Sequence, residues 1–89
     1  MNLNGFRNEA GDFIKKLGTE AADAKEMLDM LEEELALLKQ SVMKPARFGH
    51  KIYDMLFLLF EIASENRFDL DGEWEKGRIN KQEKYLKNR

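Results

Sequence analysis

The chain has 89 residues, 36% of them charged and 43% hydrophobic, with a formal net charge of −2, which indicates one small globular domain without the basic excess of nucleic-acid-binding proteins. Cysteine is absent and His50 is the single histidine, so disulfides, a thiolate nucleophile and a His-rich zinc site are excluded. No apolar stretch is long enough to span a membrane and the first residues lack a signal-peptide core, so we expect no membrane association and a cytoplasmic location.

Two helices are predicted in the first half of the chain. The first covers residues 5–17, with Asn4 as its N-cap and Gly18 as its C-terminal stop. The second covers residues 20–43, with Thr19 as its cap. Each helix carries an apolar stripe at helical spacing, formed in the first by Phe6, Ala10, Phe13, Ile14 and Leu17 and in the second by Ala24, Leu28, Leu31, Leu35, Leu38 and Val42.

Two further helices are predicted after Pro45. The stretch "KPARFG", residues 44–49, is predicted to be a turn because proline disfavours helix in the residue before it. The third helix covers residues 50–66, and the fourth covers residues 70–87 with Asp69 or Asp71 as its cap. The sequence therefore predicts an all-α antiparallel helical bundle. Its apolar surface exceeds what a thin four-helix monomer covers, so we expect a homodimer or a higher homo-oligomer.

The third helix has a narrow polar strip that contains Asp54 and Glu61, and apolar residues cover nearly all the rest of it. One interpretation is that this strip is the solvent-exposed edge of the helix. The other is that it faces the acidic second helix, where several converging carboxylates would repel one another unless a divalent cation joined them. Because only oxygen ligands are available, that cation would be Mg²⁺ or Mn²⁺.

The order of these segments resembles the MazG-like branch of the all-α nucleoside triphosphate pyrophosphatases. That family has a Glu-x-x-Glu helix, then Glu-x-x-Asp with an apolar run, then an Asp-Leu helix start and a helix rich in Lys, Asn and Arg. Here the third helix reads "YDMLFLLFEIA" and "FDLDGEWEKGRINKQEKYL" follows it, so the resemblance covers roughly residues 19–86. It implies hydrolysis of a nucleoside triphosphate to a monophosphate and pyrophosphate, with Mg²⁺ held by carboxylates.

The resemblance also implies roles for particular residues. The first choices as metal ligands are Asp29, Glu33 and Asp54, and the second choices are Glu26, Glu32 and Glu61. Asp54 and Glu33 are also expected to take part in catalysis. The register of the first acidic motif stays open, because Glu26-x-x-Asp29 and Asp29-x-x-Glu32 both fit. The residues expected to contact the phosphates are Lys76, Arg78, Asn80, Lys81 and Lys84.

One residue departs from the family pattern. Lys51 occupies the position of the glutamate in Glu-x-x-Asp, and an ammonium group repels a metal ion and cannot coordinate it. The alternative prediction is a non-catalytic dimeric interaction or regulatory protein of the same fold, in which Lys51 neutralises the acidic site. A third possibility is an unrelated acidic helical adaptor that binds a basic partner helix.

Overall fold

The computed structural model describes residues 2–18 and 23–87, and every regular element in these two stretches is helical. The prediction of an all-α fold is confirmed for this part of the chain. In chain order the elements are α1 (Leu3–Leu17), α2 (Ala24–Gln40), α3 (Pro45–Glu65), α4 (Leu70–Gly77), a π-helical segment (Arg78–Glu83) and α5 (Lys84–Lys87).

Local caps explain the ends of α1 and α2. Gly18 ends α1 in the left-handed conformation, with a φ of 67°, which glycine adopts without the steric cost that a side chain brings. The carboxylate of Asp23 accepts a hydrogen bond from the backbone N–H of Glu26 and thereby caps α2. The predicted cap Thr19 and the predicted helix start at residue 20 lie outside the described residues.

The third helix begins at Pro45 rather than at residue 50, so most of the stretch predicted as a turn is helical. Proline suits the first position of a helix, because its fixed φ is helical and the N–H that it lacks has no acceptor there. The turn occupies residues 41–44 instead, where the hydroxyl of Ser41 donates a hydrogen bond of 2.8 Å to the carbonyl of Leu38. This short connection folds α3 back along α2, so the two helices are antiparallel.

The first turns of α1 and α4 cap each other. The carboxylate of Asp71 accepts hydrogen bonds from the backbone N–H groups of Leu3 at 2.8 Å and Asn4 at 3.4 Å. In return, the Asn4 side-chain oxygen accepts from the backbone N–H of Leu70, and its amide donates to Asp69, each at 2.8 Å. Asn4 therefore lies inside α1 and caps α4 rather than its own helix. Asp69 is the N-cap of α4, as the sequence predicts.

The third helix is central because both α1 and α2 pack against it. The rings of Phe13 and Phe57 meet edge to face with their centroids 5.4 Å apart. At Gly11, α1 approaches α3 so closely that an added Cβ would overlap the Ser64 hydroxyl and lie 3.1 Å from the Ser64 Cβ. Few apolar side chains are buried, and those in the described residues are Ala10, Met27, Leu58 and Ala63.

The predicted fourth helix is interrupted after α4 by the π-helical segment Arg78–Glu83. The segment follows Gly77, a poor helix former, and its side chains and those of α5 are exposed. The packing partner of α4 is α1. Among the described residues, no helix has both the length and the apolar character that a membrane crossing requires.

Candidate functional site

The lysine that departs from the family pattern lies between two carboxylates. On α3, Lys51 and Asp54 are three residues apart and share one face, and the antiparallel α2 brings Glu34 opposite them. The Lys51 Nζ is 3.3 Å from the Asp54 Oδ2 and 3.4 Å from the Glu34 Oε2. The three side chains retain only 24 to 29% of their exposure. We call Glu34, Lys51 and Asp54 the lysine cluster.

The two carboxylates of the cluster stabilise the charged form of the lysine. The hydrogen bond to Asp54, together with the hydrogen bond and the attraction of Glu34, raises the pKa of Lys51 above its ordinary value of 10.5 despite partial desolvation. His50 lies at the outer edge of the cluster, with its Nε2 3.5 Å from the Asp54 Oδ2 and its side chain 68% exposed. The nearest cation to Asp54 is therefore Lys51, with His50 adding a second positive charge only when it is protonated.

The acids of α2 that were predicted as metal ligands do not join this cluster. All four are exposed, and at about 100° per residue they point about 80 to 160° away from Glu34, the acid that faces α3. These residues are Glu26, Asp29, Glu32 and Glu33. Within residues 2–18 and 23–87, no three Asp, Glu or His side chains converge in an arrangement that could hold a metal ion.

The donor set around Asp54 therefore does not suit Mg²⁺ or Mn²⁺ within one subunit. Two carboxylates approach one point, and an ammonium group occupies the space between them. Magnesium binds oxygen ligands at about 2.1 Å in a near-octahedral arrangement, which the Nζ of Lys51 would obstruct.

Glu34 is the site residue that the sequence reasoning missed. The sequence indicates its position through Leu31, three residues before it, and Leu38, four residues after it. This spacing puts Glu34 on the same face of α2 as these two half-buried leucines. A single acid on the packed face of a helix needs a partner from the neighbouring helix. In an antiparallel hairpin with a short turn, that partner comes from the start of α3, where Lys51 lies.

Glu61 is buried but lies too far from Asp54 to share a ligand with it. The two residues are seven positions apart on α3, which corresponds to about 10 Å. Glu61 is 8% exposed, and its burial raises the pKa of its carboxyl above the ordinary value of 4.5. It opens into a cavity of about 200 Å³ between the first three helices, whose rim includes Lys15, Ser64 and Arg67.

The residues predicted to contact phosphates are exposed, and the ion pairs that they make within the described residues are local. The Nζ of Lys76 is 3.4 Å from Glu73, and the Nε of Arg78 is 3.3 Å from Glu75, each three positions earlier in the chain. The structure does not bring either of these cations to the lysine cluster. The remaining members of the set, Asn80, Lys81 and Lys84, are exposed in the π-helical segment and at the start of α5.

Comparisons with known proteins found no relative of this chain. No protein-family model, curated protein or solved structure matches the chain.

Proposed function

We propose that the chain is a non-catalytic, dimeric helical interaction or regulatory protein with a MazG-like architecture, in which Lys51 replaces a bound metal ion. The observation that carries the proposal is the position of the Lys51 Nζ, within 3.4 Å of carboxylate oxygens from both α2 and α3. In this arrangement the acidic pair has its counter-charge in the chain itself.

The physical reason is charge balance at a partly buried site. Glu34 and Asp54 would repel each other across the helix interface if they had no cation between them. A metal ion and a lysine both remove this repulsion, but only the metal ion can also bind phosphate oxygens and activate water. With lysine in place, the cluster joins two helices and offers no Lewis acid for hydrolysis.

The enzymatic alternative is a divergent MazG-like pyrophosphohydrolase that cleaves nucleoside triphosphates with Mg²⁺ or Mn²⁺. The observation in its favour is the exposed acidic side of α2, where Asp29 and Glu33 have no ion-pair partner within the described residues. Such acids could bind a metal ion only together with ligands from outside this subunit.

A hydrolysis panel separates the two functions. The purified chain is incubated with each common nucleoside triphosphate and deoxynucleoside triphosphate, with Mg²⁺ or Mn²⁺, and pyrophosphate release is measured. We expect background rates for every substrate. Release that depends on the metal ion, and that the Asp54→Asn variant loses, would overturn the proposal.

The Asp54→Asn variant also serves as the control for a contaminating hydrolase. If the wild type and the variant release pyrophosphate at equal rates, the activity does not come from the predicted site. An Asp12→Asn variant provides the matched control for a lost negative charge, since Asp12 is exposed on α1 and belongs to none of the predicted sites.

A further inference from the structure

Apolar side chains line one side of the α2–α3 hairpin and remain open to solvent. Leu28 and Leu35 lie seven residues apart on α2 and so share one side of that helix, and Val42 lies in the turn that follows it. On α3 the apolar side chains of this side are Ile52 and Leu59. These five side chains, which we call the open face, are between 41 and 55% exposed.

Helix geometry places both rows on the same side of the hairpin. Leu28 and Leu35 directly follow Met27 and Glu34 on α2, and Val42 directly follows Ser41 in the turn; Met27, Glu34 and Ser41 are buried or turned toward α3. The two members on α3 directly follow Lys51 and Leu58, which are likewise half-buried or buried. In an antiparallel pair of right-handed helices, the residue after each contact residue turns to the same side.

The first helix covers the other side. It meets α3 through Phe57 and Phe60, whose ring centroids lie 5.4 Å from Phe13 and 5.9 Å from Phe6. Phe57 precedes Leu58, so it turns away from Leu59 and the open face. The hairpin therefore has α1 on one side and exposed leucine, isoleucine and valine on the other.

The accessible surface of the chain is larger than that of a compact monomer of the same mass. Its accessible surface is 7238 Å², whereas a compact monomer of 10.4 kDa has about 5,400 Å². Its radius of gyration is 15.3 Å, compared with about 12 Å for a compact domain of this length. The excess area is larger than the roughly 800 Å² that each partner buries in a standard protein interface.

The charges beside the open face favour a second copy of the chain as its binding partner. Glu32 and Lys39 are seven residues apart along one edge of the row on α2, with Leu35 midway between them. If two copies of α2 lie antiparallel with Leu35 at the twofold axis, Leu28 faces Val42 of the other copy. Each Glu32 then lies beside the Lys39 of the other copy, so the surface complements itself in shape and in charge.

We propose that the open face of one chain packs against the open face of a second copy, with α2 antiparallel to α2 and Leu35 near the twofold axis. The two hairpins then form a four-helix arrangement with α1 on its outside. This inference deepens the proposed function by naming the surface through which the dimer forms. Pyrophosphate release would overturn the metal-free site and leave the assignment of the surface unaffected, whereas equal effects of variants on the two sides of α2 would overturn the surface and leave the metal-free site unaffected.

The first test compares Leu35→Glu with Leu37→Glu by light scattering and sedimentation. Leu37 is the matched control, because it lies on the same helix and is 42% exposed, close to the 41% of Leu35, but turns to the other side. We expect a wild-type dimer at about 100 µM, a dissociation constant raised at least about a hundredfold by Leu35→Glu, and a small effect of Leu37→Glu. A monomeric wild type, or equal effects of the two variants, would overturn the proposal.

A second measurement does not require the charged variant to fold. Because the chain has no cysteine, single Leu35→Cys and Leu37→Cys variants each carry one thiol. Under mild oxidation, two thiols close to the twofold axis join in one disulfide and lose two electrons to the oxidant, such as a copper–phenanthroline complex. We expect a covalent dimer from Leu35→Cys. If Leu37→Cys forms as much covalent dimer, the assignment of the face is wrong.

Discussion

The decisive perturbation is Lys51→Glu, which introduces the carboxylate that the MazG-like pattern has at this position. In the wild-type cluster, two carboxylates and one ammonium group sum to a charge of −1, whereas three carboxylates sum to −3. A divalent cation at about 4 Å then gains four additional unit-charge attractions, which in water favour its binding by a factor of about a thousand. Each oxygen would need to move by about 1 Å, because magnesium–oxygen distances are about 2.1 Å.

The assay is thermal unfolding with and without the metal ion. Without it, we expect Lys51→Glu to melt below the wild type, because three carboxylates repel one another. With Mg²⁺ or Mn²⁺ at about a hundred times the dissociation constant, the melting temperature of the variant should rise by about 10 °C. The wild type should respond no more than it does to sodium chloride of equal ionic strength.

Two control variants show whether the response to the metal ion comes from the lost positive charge, from charge reversal in general, or from the new carboxylate at residue 51. Lys51→Gln removes the positive charge without adding a carboxylate, and Lys76→Glu repeats the charge reversal beside Glu73, where both side chains are mostly exposed. The reasoning is refuted if the wild type is stabilised by the metal ion as strongly as Lys51→Glu. It is also refuted if Lys76→Glu and Lys51→Glu respond to the metal ion alike.

Three further predictions test the fold around the site. Burial raises the pKa of Glu61, so its ionised form costs stability above that raised pKa and the cost disappears as the pH falls toward 4.5. Glu61→Gln should therefore raise the melting temperature at pH 7 and leave it unchanged at pH 4, and an equal gain at both pH values would contradict this origin. Gly11→Ala gains about 1 kcal/mol of helix propensity but overpacks against Ser64 at a cost of about 1 to 3 kcal/mol. In denaturant titrations it should destabilise the wild type, and it should stabilise a Ser64→Gly background; additive effects would show that the two sites are not in contact. Asp71→Ala removes the cap of α1 and should lower the free energy of unfolding by about 1 kcal/mol, whereas Asp12→Ala, on the exposed side of α1, should have little effect.

Periodicity and capping residues predicted most of the fold, because those signals are local. Gly18 and Asp69 act at the helix ends where the sequence places them. The start of α3 was misplaced because proline both ends and begins helices, and its neighbours do not reveal which role applies. Asn4 was assigned to its own helix because its actual partner, the backbone N–H of Leu70, is 66 residues away in the chain.

The candidate site was predicted less well, because it depends on contacts between helices. The sequence predicts Asp54 as a metal ligand and Lys51 as the residue that could replace the metal ion. Among the acids of α2, Asp29 and Glu33 were the ligands predicted first, whereas the acid that faces Asp54 in the structure is Glu34. Adjacent residues on a helix differ by about 100° in direction, so this choice requires the rotation of α2 about its own axis.

The apolar residues of α2 do not settle that rotation by themselves, because they cover about half of the helix circumference. Turning α2 by one residue would bring Glu33 toward α3 in place of Glu34 and would also expose the buried side chains of Met27 and Ser41. The observed rotation instead buries Met27 and Ser41, places Glu34 against Lys51, and leaves Leu28 and Leu35 on the open face. One orientation of α2 therefore sets both features of the molecule: the ion pair that meets Asp54 and the apolar row that we assign to a second copy.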